Sequence, residues 1–335
     1  MCGILEFDDC AMNERVLVLG AHGFIGRRIV ARLSQDSGTA IIAAGRRAVS
    51  GSSSGSIETL ALDAADERAL HAAMAGITGV VNCVAGSPEN ILGCAKALFS
   101  AAARLKPTPR VVHLSSLAVY GSITGLVDET TPPLGDLGDY SSAKLTAEKL
   151  ASTCESVVLL RPGIVYGAGS QWWSDRIARL LVARRLGDMG VVGEGLCNLV
   201  YVDDVATAAV LALRTPGALG GTFNLGSPRI PTWNDYFSRY AKALGALPVH
   251  RISRRRLALE YLLAPPLKAL EIVCRLGPLR QLHPPPPIRP WLTTLYQHKI
   301  GMAVTRAETI LGMRWTDLDE GLKAAASWFL AGGRA

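Results

Sequence analysis

The stretch Leu17-Val-Leu-Gly20-Ala-His-Gly23-Phe-Ile-Gly26 decides the fold. An apolar, β-rich run, Arg15–Leu19, ends in three glycines, and a helical pattern, Phe24–Ser34, begins among them. Such a turn lets backbone approach a pyrophosphate, whose charge then meets the N–H groups at a helix N-terminus. The spacing is Gly-x-x-Gly-x-x-Gly, not the commoner Gly-x-Gly-x-x-Gly, so the strand-turn-helix context carries the reading. Gly20, Gly23, Phe24, Ile25 and Gly26 are the first candidate cofactor contacts, against the plainer alternative of a structural turn.

Working outward, the first half alternates β-rich runs with helical patterns, the signature of a parallel sheet covered by helices. Strands are expected at Arg15–Leu19, Ala40–Ala44, Ile57–Leu62, Gly79–Val84, Arg110–Leu114 and Val157–Leu160. Helices are expected near Phe24–Ser34, Ala65–Ala75, Pro88–Leu105 and Tyr140–Thr153, each polar on one side and rich in Ala or Leu on the other. Right-handed crossovers would wind these into a Rossmann-type, doubly wound parallel sheet. The expected organisation is a leader over 1–14, a cofactor domain over 15–167 with sheet contributions from about 200–226, and a smaller substrate-binding lobe over 168–335. In that lobe the patterns are a helix near Asp175–Leu186, a short segment Val200–Leu213, a strand near Thr222–Leu225 and a helix near Trp233–Leu244. The run His283-Pro-Pro-Pro-Pro-Ile288-Arg-Pro290 reads as an extended surface segment, since proline lacks an N–H for helix or central strand.

Composition narrows the function classes. At 335 residues, 49% hydrophobic and 19% charged, the chain can bury a substantial core. Its seven cysteines are odd in number and never spaced Cys-x-x-Cys, which argues against a disulfide framework or zinc site and for a reducing cytoplasm. No histidine spacing resembles a metal site, so no metal is expected. The start lacks a basic, then apolar, signal-peptide pattern. A net charge of +7, spread along the chain without a nucleic-acid module, points to an anionic ligand and not to nucleic acid. The one dense basic run, Arg251, Arg254, Arg255 and Arg256, precedes the apolar stretch Leu257–Leu276. Charges and prolines within that stretch exclude a transmembrane helix, leaving two readings: a buried helix of the lobe, or an amphipathic surface helix in peripheral contact with a membrane.

At the end of the second strand, where NAD enzymes present an acidic residue to the ribose 2′-hydroxyl, the chain reads Ala44-Gly45-Arg46-Arg47. Arg46 and Arg47 suit a 2′-phosphate, so NADP(H) is preferred over NAD(H). Asp63, ending the third strand, would face the adenine edge or cap a helix.

Tyr140-Ser-Ser-Ala-Lys144 opens an expected helix, and the four-residue spacing puts phenol and ammonium on one face. A nearby lysine favours the phenolate and draws the phenol's pKa of about 10 toward working pH. A third partner comes from Val111-Val-His-Leu-Ser115-Ser116-Leu-Ala-Val-Tyr120-Gly121, which delivers hydroxyls at a strand's C-terminal end, the edge where open α/β sheets bind ligands. Ser116 is chosen over Ser115 to hold a substrate oxygen against the tyrosine. A serine capping local backbone is the alternative.

With these motifs in order, the chain resembles the extended short-chain dehydrogenase/reductase superfamily, also called the NAD-dependent epimerase/dehydratase family. The resemblance covers roughly 15–230 and takes in Leu160-Arg-Pro162-Gly-Ile164-Val-Tyr-Gly167, Tyr201-Val-Asp203-Asp204-Val-Ala206 and Thr222-Phe-Asn-Leu-Gly226. It implies that Pro162 and the residues after it, including Ile164, line the nicotinamide pocket, and that Asp203 and Asp204 are chiefly structural. Ala85, just past the strand Gly79–Val84, joins the cofactor contacts, as do Tyr140 and Lys144. Nucleotide-sugar members usually carry asparagine and arginine where this chain has Ile164 and Cys197. An apolar side chain and a thiol cannot give charged or amide hydrogen bonds to a diphosphate. Asn198-Leu-Val-Tyr-Val-Asp-Asp is nearer the branch of dihydroflavonol reductases and 3-beta-hydroxysteroid dehydrogenases. Trp172, Trp173, Met189 and Leu196 are candidates for an apolar pocket, against plain core.

The expected function is reversible hydride transfer between NADP(H) and a ketone or secondary alcohol of a small or apolar molecule, with Ser116, Tyr140 and Lys144 as the catalytic set. The alternatives are a nucleotide-sugar epimerase or dehydratase, and a non-catalytic NADP-binding scaffold. The expected partner is a small-molecule substrate, with room for a homodimer.

Overall fold

In the computed structural model, which describes residues 14–47, 57–276 and 286–333, the glycine turn follows an interior strand of a seven-stranded sheet. The strands in chain order are β1 Glu14–Leu19, β2 Thr39–Gly45, β3 Ile57–Ala61, β4 Gly79–Asn82, β5 Arg110–Leu114, β6 Gly125–Val127, β7 Val157–Pro162, β8 Ile164–Tyr166, β9 Leu199–Tyr201, β10 Thr222–Leu225 and β11 Ile300–Met302. The large sheet runs β10-β7-β5-β4-β1-β2-β3. β1 pairs in parallel with β2 and β4, β2 with β3, and β4 with β5. The chain therefore lays strands outward to β3, then returns to the other side of β1. That reversal between β1 and β4 is the switch point at which doubly wound sheets bind dinucleotides. Leu19 is in register with both Ala44 and Asn82, so Gly20, Gly45 and Cys83 lie on one edge.

The sheet's interior matches the apolar runs that mark it in the sequence. Val16, Leu17, Val18, Val80, Val81, Val111 and Val112 are wholly buried, as strands covered on both faces require. The helices Gly26–Leu33, Glu67–Ala73 and Pro88–Ala103 fall within the expected patterns, and Asp139–Ala151 starts one residue before its own. The expected strand Thr222–Leu225 is one of the sheet's two edge strands.

Two compact units can be distinguished, each entered more than once by the chain. One comprises the described residues of Met1–Leu114, with Thr146–Leu159 and Ala209–Gly221. The other comprises Ser115–Leu145, Leu160–Ala208 and the described residues of Thr222–Ala335. The segment after 167 thus contributes to both. Apart from Glu14, the expected leader lies outside the described residues. Glu14 itself starts β1 and pairs with Arg214 at 2.6 Å.

The second unit holds two small parallel sheets, β6 with β11 and β8 with β9. Its core gathers Trp233, Tyr236, Phe237 and Tyr240 from one helix, Trp233–Ala243. That helix begins with a reciprocal capping box between Thr232 and Asp235, which satisfies two N–H groups otherwise left bare. A 23-residue helix, Arg254–Leu276, carries Pro265 and Pro266 internally. It is held by an ion pair between the largely buried Arg185 and Glu260 side chains.

The proline run needs correction. Residues 283–285 lie outside the described part. Pro286–Arg289 has no regular structure, as expected, but Ile288 is buried in the core and Pro290 begins the helix Pro290–Gln297. Arg176 and Arg185 donate to the carbonyls of Pro287 and Pro286, tying down backbone that prolines leave unpaired. An extended run is thus docked, and its last proline occupies the helix position that tolerates a missing N–H. Cys83, Cys94, Cys154, Cys197 and Cys274 are free thiols. No helix among the described residues is long and apolar enough to cross a membrane.

Candidate active site

In the first unit the glycine turn is built by close approach. The N–H groups of Gly20 and Ala21 both donate to the Ala44 carbonyl, at 3.0 and 3.1 Å, which fastens the turn to the end of β2. Gly20 has φ +75°, a left-handed conformation that glycine adopts without strain. A Cβ on Gly26 would lie 2.2 Å from the Gly20 carbonyl oxygen, so only glycine lets the helix start so near the strand. The helix Gly26–Leu33 has no side-chain cap at Ile25, leaving its N-terminal dipole for an outside acceptor. These features fit a dinucleotide pyrophosphate. Phe24 is half-buried, with the Arg27 guanidinium 6.0 Å from its ring.

Arg46 and Arg47 extend from the end of β2 and are exposed. They follow Ala44, which anchors the glycine turn, by two and three residues. A Cβ on Gly45 would meet the His22 ring at 2.6 Å, so the strand end and the turn touch there too. Ala85 is exposed beyond β4. Asp63 accepts the Ala65 N–H at 3.0 Å and so closes a local turn, while the helix cap is Asp66, which accepts from Arg68 and Ala69.

In the second unit Ser115 and Ser116 part company, as alternation along an extended strand requires. The Ser115 N–H donates to Leu160 at 2.7 Å and its side chain is buried, whereas Ser116 is partly exposed. Ser116 Oγ accepts the Ala118 N–H at 3.1 Å, and its hydroxyl stands near enough to the Tyr140 phenol to act on its pKa. One hydroxyl thus caps local backbone and stands beside Tyr140. Tyr140 and Lys144 lie one turn apart on the helix Asp139–Ala151, the tyrosine 42% exposed and the lysine buried.

The expectation that lysine lowers the phenol's pKa is not met. Burial raises the Tyr140 phenol above its ordinary value, and the Ser116 hydroxyl beside it pulls the other way. Desolvation penalises the phenolate more than its neighbour stabilises it, so the neutral phenol dominates at pH 7.

One residue of this site escaped the sequence reading. Ser141, beside Tyr140 and almost wholly buried, donates to the Ala118 carbonyl at 2.6 Å. The Ala118 peptide thus receives Ser141 on its carbonyl side and gives its N–H to Ser116, linking the helix start to the serine turn. The hydroxyl following Tyr140 was visible, but its direction depends on a fold-back of the chain. Gly135 N–H to Val119 carbonyl, and Asp136 to the Ser122 N–H and hydroxyl, make that fold-back. Ser141→Ala is expected to lower stability by about 0.5–1.5 kcal/mol, because the Ala118 carbonyl loses one of its two donors and keeps the Gly121 N–H at 3.1 Å; urea denaturation measures it.

Other residues serve structure. Tyr120 is fully buried; Arg161 donates to its hydroxyl at 3.0 Å, and that hydroxyl in turn donates to Asn224 Oδ1 at 2.8 Å; burial raises its pKa too. Asp204 accepts both the Thr316 N–H and hydroxyl, at 3.0 and 2.7 Å, matching its expected structural part. Pro162 ends β7 buried. Ile164 and Cys197 lie in the second unit's core, where burial pushes the thiol's pKa up. Met189 is core as well, Trp173 packs on Trp233 at 5.8 Å, Leu196 is half-buried, and Trp172 is exposed.

A family model described as the NAD dependent epimerase/dehydratase family matches residues 16–226, more than half of the chain. The chain belongs to that family. Its members are NAD(P)-dependent enzymes of the extended short-chain dehydrogenase/reductase type. Protein YeeZ of Escherichia coli K12 is 32% identical over 143 residues, 42% of this chain; the match spans about half, 48%, of YeeZ. The dTDP-6-deoxy-L-talose 4-dehydrogenase (NAD(P)(+)) of Kitasatospora kifunensis is 29% identical over 222 residues, 59% of this chain and 69% of that one. Among solved structures, UDP-glucuronic acid 4-epimerase from Bacillus cereus, in complex with UDP-glucuronic acid and NAD, aligns with a TM-score of 0.71 at 20% identity, over 95% of this chain and 99% of that one. The dTDP-glucose 4,6-dehydratase from Bacillus anthracis, in complex with NAD, aligns with a TM-score of 0.71 at 18% identity, over 95% and 97%. At these identities the structures establish the shared Rossmann-type fold of the family.

Proposed function

We propose that this family member is an oxidoreductase, NADP(H)-preferring, that interconverts a ketone and a secondary alcohol on a small or apolar metabolite. The observation that carries the reading is the placing of the Ser116 hydroxyl beside the Tyr140 phenol, with Lys144 one helical turn on. The nicotinamide, when bound, supplies or accepts the hydride. Gly20, Gly23, Phe24, Ile25 and Gly26 would cradle the pyrophosphate, Arg46 and Arg47 the 2′-phosphate, Asp63 and Ala85 the adenosine side, and Pro162 and Ile164 the nicotinamide side. Ser116 would hold the substrate oxygen and Tyr140 would give it a proton during reduction. Lys144 would hold the ribose and steady the phenolate once it forms. The similarity to a 4-dehydrogenase using NAD(P)(+) supports net redox turnover.

The second reading, an epimerase or dehydratase acting on a nucleotide sugar, is favoured by the named substrates of the solved relatives. Against it stand Ile164 and Cys197, buried in the core at the two positions where such enzymes hold amide and guanidinium groups. Absorbance at the reduced-nicotinamide band separates the readings. Net NADPH loss with a panel of ketones supports the reductase. Product formation from UDP- or dTDP-sugars without net NADPH change replaces it with the epimerase. Cofactor binding without turnover on either panel replaces both with a scaffold.

A further inference from the structure

The helix Arg254–Leu276 has two apolar faces. One is buried: Leu257 and Ala264 pack inward, and Glu260 on the same stripe pairs with Arg185. The opposite face is in solvent, where a helix packed on a globular core normally carries charge. It presents Leu259, Leu262, Leu263, Leu270, Ile272 and Val273, with Leu262 73% and Val273 56% exposed. Ala258, Pro265, Pro266 and Ala269 are exposed between them.

The only exposed charges described on this face stand at its N-terminal end. Arg255, Leu259, Leu262, Pro266, Ala269 and Val273 follow one another at three- and four-residue steps, so Arg255 heads the apolar row. Arg254 is exposed beside it, whereas Arg256 is engaged, donating to the Arg184 carbonyl. The neighbouring helix Pro290–Gln297 touches this one through the Tyr261 and Thr293 hydroxyls and adds Trp291, 47% exposed. Leucine-rich surface, a tryptophan and free arginines are the elements of a helix that lies in a bilayer interface.

We propose that the helix Arg254–Leu276 lies flat on an anionic phospholipid bilayer, with its outer apolar face in the acyl-headgroup boundary and Arg254 and Arg255 on lipid phosphates. Charge selects this occupant over a second copy of the chain. In an antiparallel pairing of two such helices, the arginines of each would stand over the apolar Ile272 and Val273 end of the other, where the described side chains of this face offer no carboxylate. A lipid surface gives both parts of the face a partner at once. The inference is independent of the reaction proposed above, since it uses none of the residues assigned to it.

Co-sedimentation of the full chain with vesicles tests it, comparing equimolar phosphatidylserine and phosphatidylcholine with phosphatidylcholine alone. The wild type should pellet with the anionic vesicles and be released by salt. Arg254→Gln with Arg255→Gln should weaken that binding by roughly 25-fold, about fivefold per arginine. Leu259→Glu with Leu262→Glu should abolish it while circular dichroism and thermal melting stay unchanged, because both side chains already face solvent. Wild type left in the supernatant with both compositions overturns the proposal. So does a dimer in size-exclusion chromatography that the leucine variant converts to monomer without any vesicle binding, which would assign the face to a second copy.

Discussion

Tyr140→Phe is expected to lower turnover by about 10²- to 10⁴-fold, the usual share of a positioned general acid or base, with cofactor affinity within a few-fold of wild type. The phenol's contribution is its proton, and phenylalanine keeps the ring. Fluorescence titration with NADPH alongside steady-state rates separates the two effects. Retention of the wild-type rate would remove Tyr140 from the chemistry. Lys144→Met should differ by weakening cofactor binding as well as turnover, because its ammonium is assigned to both the ribose and the phenolate.

The raised phenol pKa gives this reaction a direction in pH. Ketone reduction needs the protonated phenol, which persists up to the folded pKa, above the ordinary 10. Its rate should therefore stay level from neutral pH to about 9. Alcohol oxidation needs the phenolate, and its rate should climb with pH across the same interval, by up to tenfold per unit. Rate profiles in both directions on one substrate pair check this. An oxidation rate that levels off near pH 7 would mean that Lys144 lowers the phenol's pKa in the working enzyme far more than burial raises it.

Legibility in the sequence followed the range of the interactions involved. The run Arg15–Leu19, the glycine turn and the helix after it are set by local apolar periodicity and by glycines that admit close backbone approach, so they could be read directly. The separation of Ser116 from buried Ser115 follows from strand alternation, a period-two rule. Features that depend on distant partners were not readable. β6 and β11 have three residues each and pair across about 175 positions, too short to show periodicity and too far apart to show pairing. The helix Arg254–Leu276 is legible as an apolar run, but which of its faces is covered is not, since Glu260 finds its partner Arg185 75 positions away. The sign of the Tyr140 shift was missed for a similar reason. The Tyr-x-x-x-Lys spacing is visible in the chain, whereas the burial that outweighs it is a property of the folded surroundings.

Replacing Arg46 and Arg47 by alanine together should erase most of a preference for NADPH over NADH while hardly changing NADH binding. The 2′-phosphate is a dianion at neutral pH, and guanidinium groups can meet it with paired, charge-assisted hydrogen bonds. Loss of such a bond should cost about 1.5–3 kcal/mol, or roughly ten- to hundred-fold in affinity. Both arginines are exposed, so their removal should not disturb the fold. They stand two and three residues beyond Ala44, whose carbonyl accepts from Gly20 and Ala21, so the turn assigned to the pyrophosphate fixes where the 2′-position must come. The remainder of the dinucleotide rests on that turn, which the double variant leaves intact, and NADH therefore serves as the internal control. Fluorescence titration of wild type and variant with both cofactors measures the four affinities. Equal wild-type affinities, or a preference for NADH, would mean that the two guanidinium groups point into water and that the end of β2 does not select the cofactor.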